Sequence, residues 1–263
     1  MMRVIGTILL LLMTAVSAHG EVRGEPVEYT SGEATLKGYV AYDDSLTGKR
    51  PGVLVVHEFW GHNEYARKRA RMLAELGYVA LAVDMYGDGK GSEHPDEARK
   101  FATEIRKNMD LGRSRFLSAV DVIKGHKYVD PDRIGAIGYC FGGGIVLQMA
   151  RDGVDLKGVA SFHGALATSA PAKAGSVKAK ILVLHGEDDK FVTPEQVEEF
   201  KKEMEGAGAD FRFISYPGAT HGFTNPEADE NAKKYDMKIG YNAEADAKSW
   251  AKMKKFFKKV FKK

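Results

Sequence analysis

A single cysteine stands in a sequence context that could make it a nucleophile. Residues 138–142 read Gly-Tyr-Cys-Phe-Gly, between an apolar run at 133–137 that predicts a strand and a run at 145–150 that predicts a helix. Strand, sharp turn and helix form a nucleophile elbow, whose glycines let backbones approach a strained turn. The positive end of the helix favours negative charge on Cys140. The alternative is an inert buried cysteine.

A cysteine nucleophile needs a base and a group that orients the base. The apolar run 180–185 predicts a strand that ends shortly before Asp188 and Asp189, and 211–216 predicts another strand, after which a loop presents His221. In elbow-type enzymes the acid precedes the histidine along the chain. Taken singly, the aspartates could cap a helix and the histidine could be a core or surface residue. Their order and their placement after strands favour a catalytic triad.

With these motifs, and with Val-Val-His-Glu-Phe-Trp-Gly at 55–61, the chain from about Tyr29 to its C-terminal helix resembles the dienelactone hydrolases, or carboxymethylenebutenolidases, of the α/β-hydrolase superfamily. The resemblance implies that Cys140, Asp189 and His221 form the triad. It also implies that the backbone N–H groups of Phe59 and Phe141 form an oxyanion hole.

The resemblance further implies that Glu58 contacts the resting thiol, where a carboxylate would keep sulfur protonated until substrate arrives. The alternative for Glu58 is an ion pair with Arg67 or Arg69. Four more side chains are candidates for contact with the thiol or substrate: Trp60, Tyr86, His163 and Phe223. For His163 a purely structural hydrogen bond is the alternative.

These roles fit ester chemistry. Attack of Cys140 on a carbonyl builds an oxyanion, which two fixed N–H groups would stabilise by about 3 kcal/mol each. Asp189 would hold the tautomer of His221, which then activates water against the thioester. Thiolate is itself a good leaving group, so lactones and esters with acidic enol or phenol leaving groups should be preferred.

The chain departs from the family where dienelactone hydrolases grip a substrate carboxylate with two arginines. The corresponding stretches, 84–90 and 221–225, place Gly87 and Asn225 at those points. Lys90 could supply a charge, but it lacks the planar fork of arginine. The sequence therefore predicts that uncharged lactones or aryl esters are better substrates than dianionic dienelactones.

The fold class expected is α/β: an α/β-hydrolase fold with a mostly parallel central sheet and helices on both faces. Antiparallel edge strands are predicted at 27–30 and 34–41, and a closing helix at 242–259. That helix carries seven lysines among the last twelve residues. Membrane binding is one interpretation, and docking on the sheet with solvated lysines is favoured. Residues 19–263 are predicted to form a single domain.

The first eighteen residues are predicted to be a signal peptide. A short positive start, an apolar stretch at 4–16 and Val-Ser-Ala at 16–18 indicate export, most simply to a bacterial periplasm, with cleavage near His19. An uncleaved anchor is the alternative. A net charge of +3 requires no nucleic-acid partner. No cofactor or metal is implied, and we expect a monomer without a membrane anchor after cleavage, acting on a small-molecule ester or lactone.

The sequence thus predicts an exported ester or lactone hydrolase with a cysteine nucleophile. Two alternatives stay open. The same residues could serve thioester or peptide hydrolysis, or the lone thiol of Cys140 could sense oxidants without catalysis.

Overall fold

The computed structural model describes residues 22–262, so the predicted signal peptide lies outside the described residues. Eight strands form one sheet: β1 (Val22–Ser31), β2 (Ala34–Asp43), β3 (Arg50–Val56), β4 (Val79–Val83), β5 (Val129–Tyr139), β6 (Gly158–Phe162), β7 (Lys180–Gly186) and β8 (Phe211–Tyr216). Seven helices connect or follow them: α1 (Glu64–Ala74), α2 (Pro95–Lys107), α3 (Met109–Gly125), α4 (Phe141–Arg151), α5 (Pro194–Gly206), α6 (Ala228–Tyr235) and α7 (Ala243–Val260).

The sheet has the strand order β1-β2-β4-β3-β5-β6-β7-β8. The pairs β1–β2 and β2–β4 are antiparallel, and every pair from β4 to β8 is parallel. Parallel strands need helical crossovers, which cover both faces of the sheet and leave the central strands fully buried. The predicted fold class is therefore confirmed.

Two apolar cores lie on opposite faces of this sheet. Helices α3, α4 and α5 pack on one face, where Phe116, Met149 and Phe200 are buried. Helices α1 and α7 pack on the other face through Leu73 and Phe257. The apolar side of α7 is thus used inside the fold, and its lysines are exposed, as the docked interpretation expects. No helix within residues 22–262 is long and apolar enough to span a membrane.

The carboxyl ends of the parallel strands meet at one edge of the sheet. Glu58 follows β3, Cys140 follows β5 and His163 follows β6. Asp189 comes three residues after β7, and His221 comes five residues after β8. Open α/β sheets bind ligands at this edge, so the topology alone gathers the chemically interesting side chains.

Helix α6 was missed by the sequence analysis. Glu227 caps it without a side-chain hydrogen bond, and Ala228 is its one buried residue. A helix with neither a capping signal nor an apolar stripe leaves no periodic pattern to detect. Its position matters, because Ala228 and the following residues Met237 and Ile239 lie over the cavity at the strand edge.

Candidate active site

The turn at Cys140 is strained in the manner of a nucleophile elbow. Cys140 has φ 52° and ψ −112°, a conformation that costs a residue with a side chain about 1–3 kcal/mol. A Cβ at Gly138 would come within 2.1 Å of the carbonyl oxygen of Gly142, and a Cβ at Gly142 within 2.3 Å of that of Val56. Only glycine fits at both positions, so these two residues allow the strand, the turn and α4 to pack together.

His221 contacts both the sulfur residue and a carboxylate. Its Nδ1–H donates to Oδ2 of Asp189 over 2.7 Å, and both His221 and Cys140 line the same cavity. Burial opposes protonation of His221, but the charges and hydrogen bonds of Cys140 and Asp189 prevail and raise its pKa well above 6.5. The structure therefore brings the three predicted triad residues together, with His221 between the other two.

Asp189, and not Asp188, faces the histidine. Asp189 is buried, and its second oxygen, Oδ1, accepts the backbone N–H of Phe191 over 2.8 Å. The side chain of Asp188 is exposed at the surface. A carboxylate that is held by two donors and shielded from water can fix both the ring orientation and the tautomer of His221.

Side chains hold the carbonyl groups on both sides of the Phe59 backbone N–H. His57 accepts the backbone N–H of Met85 at Nε2 over 3.3 Å, so its Nδ1–H donates to the carbonyl oxygen of Glu58 over 2.5 Å. Because C=O and N–H of a trans peptide point in opposite directions, this bond turns the N–H of Phe59 away from His57. The hydroxyl of Tyr86 donates to the next carbonyl, that of Phe59, over 3.0 Å.

The two predicted oxyanion-hole residues both line the cavity that contains Cys140. Within residues 22–262, neither the backbone N–H of Phe59 nor that of Phe141 has a hydrogen-bond acceptor. Phe141 is also the first residue of α4, where N–H groups are free and the helix dipole is positive. Both N–H groups are thus available to a developing oxyanion.

Glu58 is almost fully buried in the wall of the cavity that contains Cys140. The amide of Asn225 donates to its Oε2 over 2.6 Å. Burial raises the pKa of Glu58 to about 7, although the hydrogen bond from Asn225 and the nearby His221 act in the opposite direction. Within residues 22–262 the alternative ion pair is not present: Arg69 is paired with Asp246, and no ion pair joins Glu58 to Arg67. Glu58 therefore changes charge near neutral pH.

A cavity of about 580 Å³ opens above Cys140. Apolar side chains form much of its wall, including Trp60, Met109 and Ile145, and helix α2 contributes Arg99 and Arg106. Among the described residues that line it, Glu58 is the single carboxylate. No group of histidine, cysteine, aspartate or glutamate side chains in the described part of the chain is arranged to hold a metal ion.

Three of the candidates for substrate contact lie behind the cavity wall. His163 and Phe223 are fully buried and pack against each other with ring centroids 5.2 Å apart. The ring of Tyr86 packs against the ring of Phe141. None of these three side chains is part of the cavity wall, whereas Trp60 does line the cavity. Lys90 is outside the wall, exposed and 3.9 Å from Asp88.

Sequence reasoning missed the arginines of the cavity. Arg99 and Arg106 are seven residues apart on α2, which places them on one helical face. That spacing was visible, but nothing in the sequence says that this face of α2 borders the cavity.

The strand order, the elbow at Cys140 and the strand-end histidine and aspartate define an α/β-hydrolase fold. Residues 36–261 match the model of the dienelactone hydrolase family, and the chain belongs to that family. It is a hydrolase that acts on esters or lactones.

Several known proteins are similar to this chain. Protein usf of Aquifex pyrophilus is 31% identical over 79% of this chain and 90% of that protein. A protein of Aquifex aeolicus, named provisionally as a carboxymethylenebutenolidase, is 29% identical over 91% of this chain and 100% of that protein. One similar solved structure is the crystal structure of a dienelactone hydrolase-like promiscuous phosphotriesterase from metagenomic libraries. It is 32% identical with a TM-score of 0.86, and the match covers 92% of this chain and 100% of that chain.

Replacement of Asp189 by Asn should lower kcat for an aryl ester by about ten-thousandfold, because the amide would hold the wrong tautomer of His221. Asp188→Asn is the matched control, since its side chain is exposed, and we expect kcat within about twofold of wild type. Steady-state kinetics and melting temperatures check both. Small and equal effects at the two positions would show that the acid lies elsewhere.

Glu58→Gln should change the pH dependence of thiol reactivity. Above pH 7 the charged Glu58 opposes negative charge on Cys140, and below pH 7 it is largely neutral. We expect iodoacetamide to alkylate the variant about three- to tenfold faster than wild type at pH 8, and at similar rates at pH 5.5. Because the chain has one cysteine, the label reports only on Cys140. Glu198→Gln on exposed α5 is the control, and equal rates at both pH values would contradict the prediction.

Proposed function

We propose that Cys140, His221 and Asp189 hydrolyse carboxylic esters or lactones through a covalent thioester. The observation that carries the proposal is the bond between His221 and Asp189 beside Cys140, in a cavity whose wall includes two residues with free backbone N–H groups. His221 takes the proton of the thiol, and the sulfur attacks the carbonyl carbon. The N–H groups of Phe59 and Phe141 then receive the oxyanion.

The intermediate collapses when the C–O bond to the leaving group breaks and His221 returns the proton to the leaving oxygen. In the second half, His221 removes a proton from water, whose oxygen attacks the thioester. The acid product leaves as the C–S bond breaks, and the proton on His221 restores the thiol. Asp189 stabilises the imidazolium in both halves. Since thiolate competes with the leaving group, acidic phenols and enols should be favoured.

The alternatives use the same residues or the same thiol. Thioester and peptide hydrolysis differ from ester hydrolysis only in the leaving group, and amines are poor leaving groups against thiolate. A Pyrococcus horikoshii acylaminoacyl peptidase shares the fold at 16% identity, with a TM-score of 0.69. At that distance the likeness carries the fold alone. A non-catalytic, oxidant-sensing Cys140 would leave the bond between His221 and Asp189 without a use.

We also propose that the protein is exported. The positive start, the apolar stretch and the small residues at 16–18 support a cleaved signal peptide. N-terminal sequencing of protein purified from the periplasm of a bacterial host tests it, with a start near His19 expected.

Cys140→Ala should lower turnover of phenyl acetate by about a millionfold while the protein stays folded. Wild-type enzyme quenched during turnover should show the mass of one acetyl group on Cys140 in intact-protein mass spectrometry. Cys140→Ser should be a weak esterase, because the site is arranged for sulfur. Retention of a tenth of wild-type activity by Cys140→Ala would overturn the triad, and absence of ester hydrolysis by the wild type would favour the oxidant sensor.

The arginines in the cavity wall change the expectation about the charge of the substrate. The two family positions lack arginine, but Arg99 and Arg106 bring positive charge to the wall from α2. Arg106 lies 5.6 Å from the centre of the Phe141 ring, next to the nucleophile. A substrate carboxylate can therefore be paired with a cation inside the cavity.

We expect a carboxylated lactone to be hydrolysed with a kcat/KM at least equal to that of its methyl ester. Arg106→Gln should lower kcat/KM for the free acid about tenfold or more and leave the methyl ester within about threefold, since loss of an ion pair affects only the charged substrate. Arg113→Gln, on α3 outside the cavity, is the control. A strong preference of the wild-type enzyme for the methyl ester would contradict this prediction and support the sequence-based expectation that uncharged substrates are preferred.

A further inference from the structure

The backbone of the nucleophile is tied to a buried histidine. The N–H of Cys140 points to Nδ1 of His163 over 3.1 Å, and to the carbonyl oxygen of Phe162 over 3.0 Å. Since Nδ1 accepts, the ring proton of neutral His163 sits on Nε2, which donates to the hydroxyl of Thr224 over 2.7 Å. Burial, aided by the charges of His221 and Arg69, holds the pKa of His163 well below 6.5 and so keeps this ring neutral.

The hydrogen bonds continue from Thr224 to an interior arginine. The hydroxyls of Thr224 and Tyr65 are 2.6 Å apart, and Arg69 donates to the Tyr65 oxygen over 3.3 Å. Arg69 also donates to the carbonyl of Thr224 and to Asp246, each over 2.7 Å. We call His163, Thr224, Tyr65 and Arg69 the elbow network. Each of the four is less than a tenth exposed, so water cannot replace a lost partner at little cost.

The elbow network joins the two halves of the proposed catalytic machinery. Cys140 lies on the β5–α4 turn, and Thr224 lies three residues after His221 on the loop that follows β8. Asn225, the next residue, donates to Glu58. The hydroxyl of Thr224 is therefore connected through His163 to the backbone of Cys140. Thr224 also lies on the same loop as His221 and Asn225, and Asn225 bonds Glu58.

The backbone at both ends of the first bond is strained. Cys140 has φ 52° and His163 has φ 40°, and neither is glycine. Such conformations persist only where surrounding contacts over-determine them. The bond from Cys140 to His163, and the bond that orients His163 from Thr224, are contacts of this kind.

We propose that Thr224 and His163 are positioning residues, which hold the nucleophile elbow and the His221 loop in register for attack. The proposal rests on the proposed function. It predicts that loss of the elbow network lowers turnover and changes substrate binding little. Neither side chain lines the cavity, so substrate affinity should depend on them little.

Thr224→Val keeps the shape of the side chain and removes its hydroxyl, leaving Nε2–H of His163 and the hydroxyl of Tyr65 without this partner. We expect kcat for phenyl acetate to fall about tenfold or more, with KM within about threefold. Alkylation of Cys140 by iodoacetamide should slow in parallel. Thr224→Ser keeps the hydroxyl and should retain kcat within about threefold of wild type.

Ser31→Ala is the matched control for loss of a buried hydroxyl, because Ser31 bonds Ser114 far from the cavity, and its kcat should equal that of wild type. If Thr224→Val does not fold, Tyr65→Phe decides, since it removes one hydroxyl from the network and keeps the ring. A folded Thr224→Val or, in its absence, a folded Tyr65→Phe with kcat within twofold of wild type would overturn the proposal. Activity in Cys140→Ala would instead sink the proposed function, so the two failures are distinguishable.

Discussion

The turn at Cys140 is the constraint on which the rest of the site depends. A left-handed residue between a buried strand and a helix needs the neighbouring backbones to come unusually close, which Gly138 and Gly142 permit. The N–H of Gly142 then donates to the carbonyl of His57 over 3.1 Å, which joins the elbow to the end of β3. The proposed oxyanion-hole peptide and the proposed nucleophile are thus joined by a backbone hydrogen bond between their segments.

Burial favours the neutral form of every histidine at the strand edge, and the hydrogen-bond partners of each ring decide whether that effect prevails. His57 and His163 accept a backbone N–H at one ring nitrogen, so each is held neutral, and burial lowers the pKa of both. His221 instead lies between a carboxylate and a sulfur, which raise its pKa. The neutral rings of His57 and His163 accept backbone N–H groups, and the third ring is the one proposed to exchange protons. One residue type is therefore found in two different electrostatic settings within a single site.

Part of the cavity wall comes from segments away from the strand ends. Helix α2 supplies two arginines, and α6 with residues 237 and 239 supplies apolar cover. The proposed chemistry thus depends on residues at the strand ends, and we expect selectivity to depend on the helices placed around them.

The sequence by itself determined the fold class and indicated the candidate residues for the chemistry. Three features can be read along the chain without knowledge of contacts. They are the Gly-Tyr-Cys-Phe-Gly turn, the order of Asp189 and His221, and the alternation of strands and helices. The tertiary structure decided that Asp189 points inward, that Glu58 bonds Asn225, that His163 lies below the wall and that Arg106 lies on it. Each of these depends on contacts between residues far apart in the chain, since burial and orientation arise only when separate elements pack against one another.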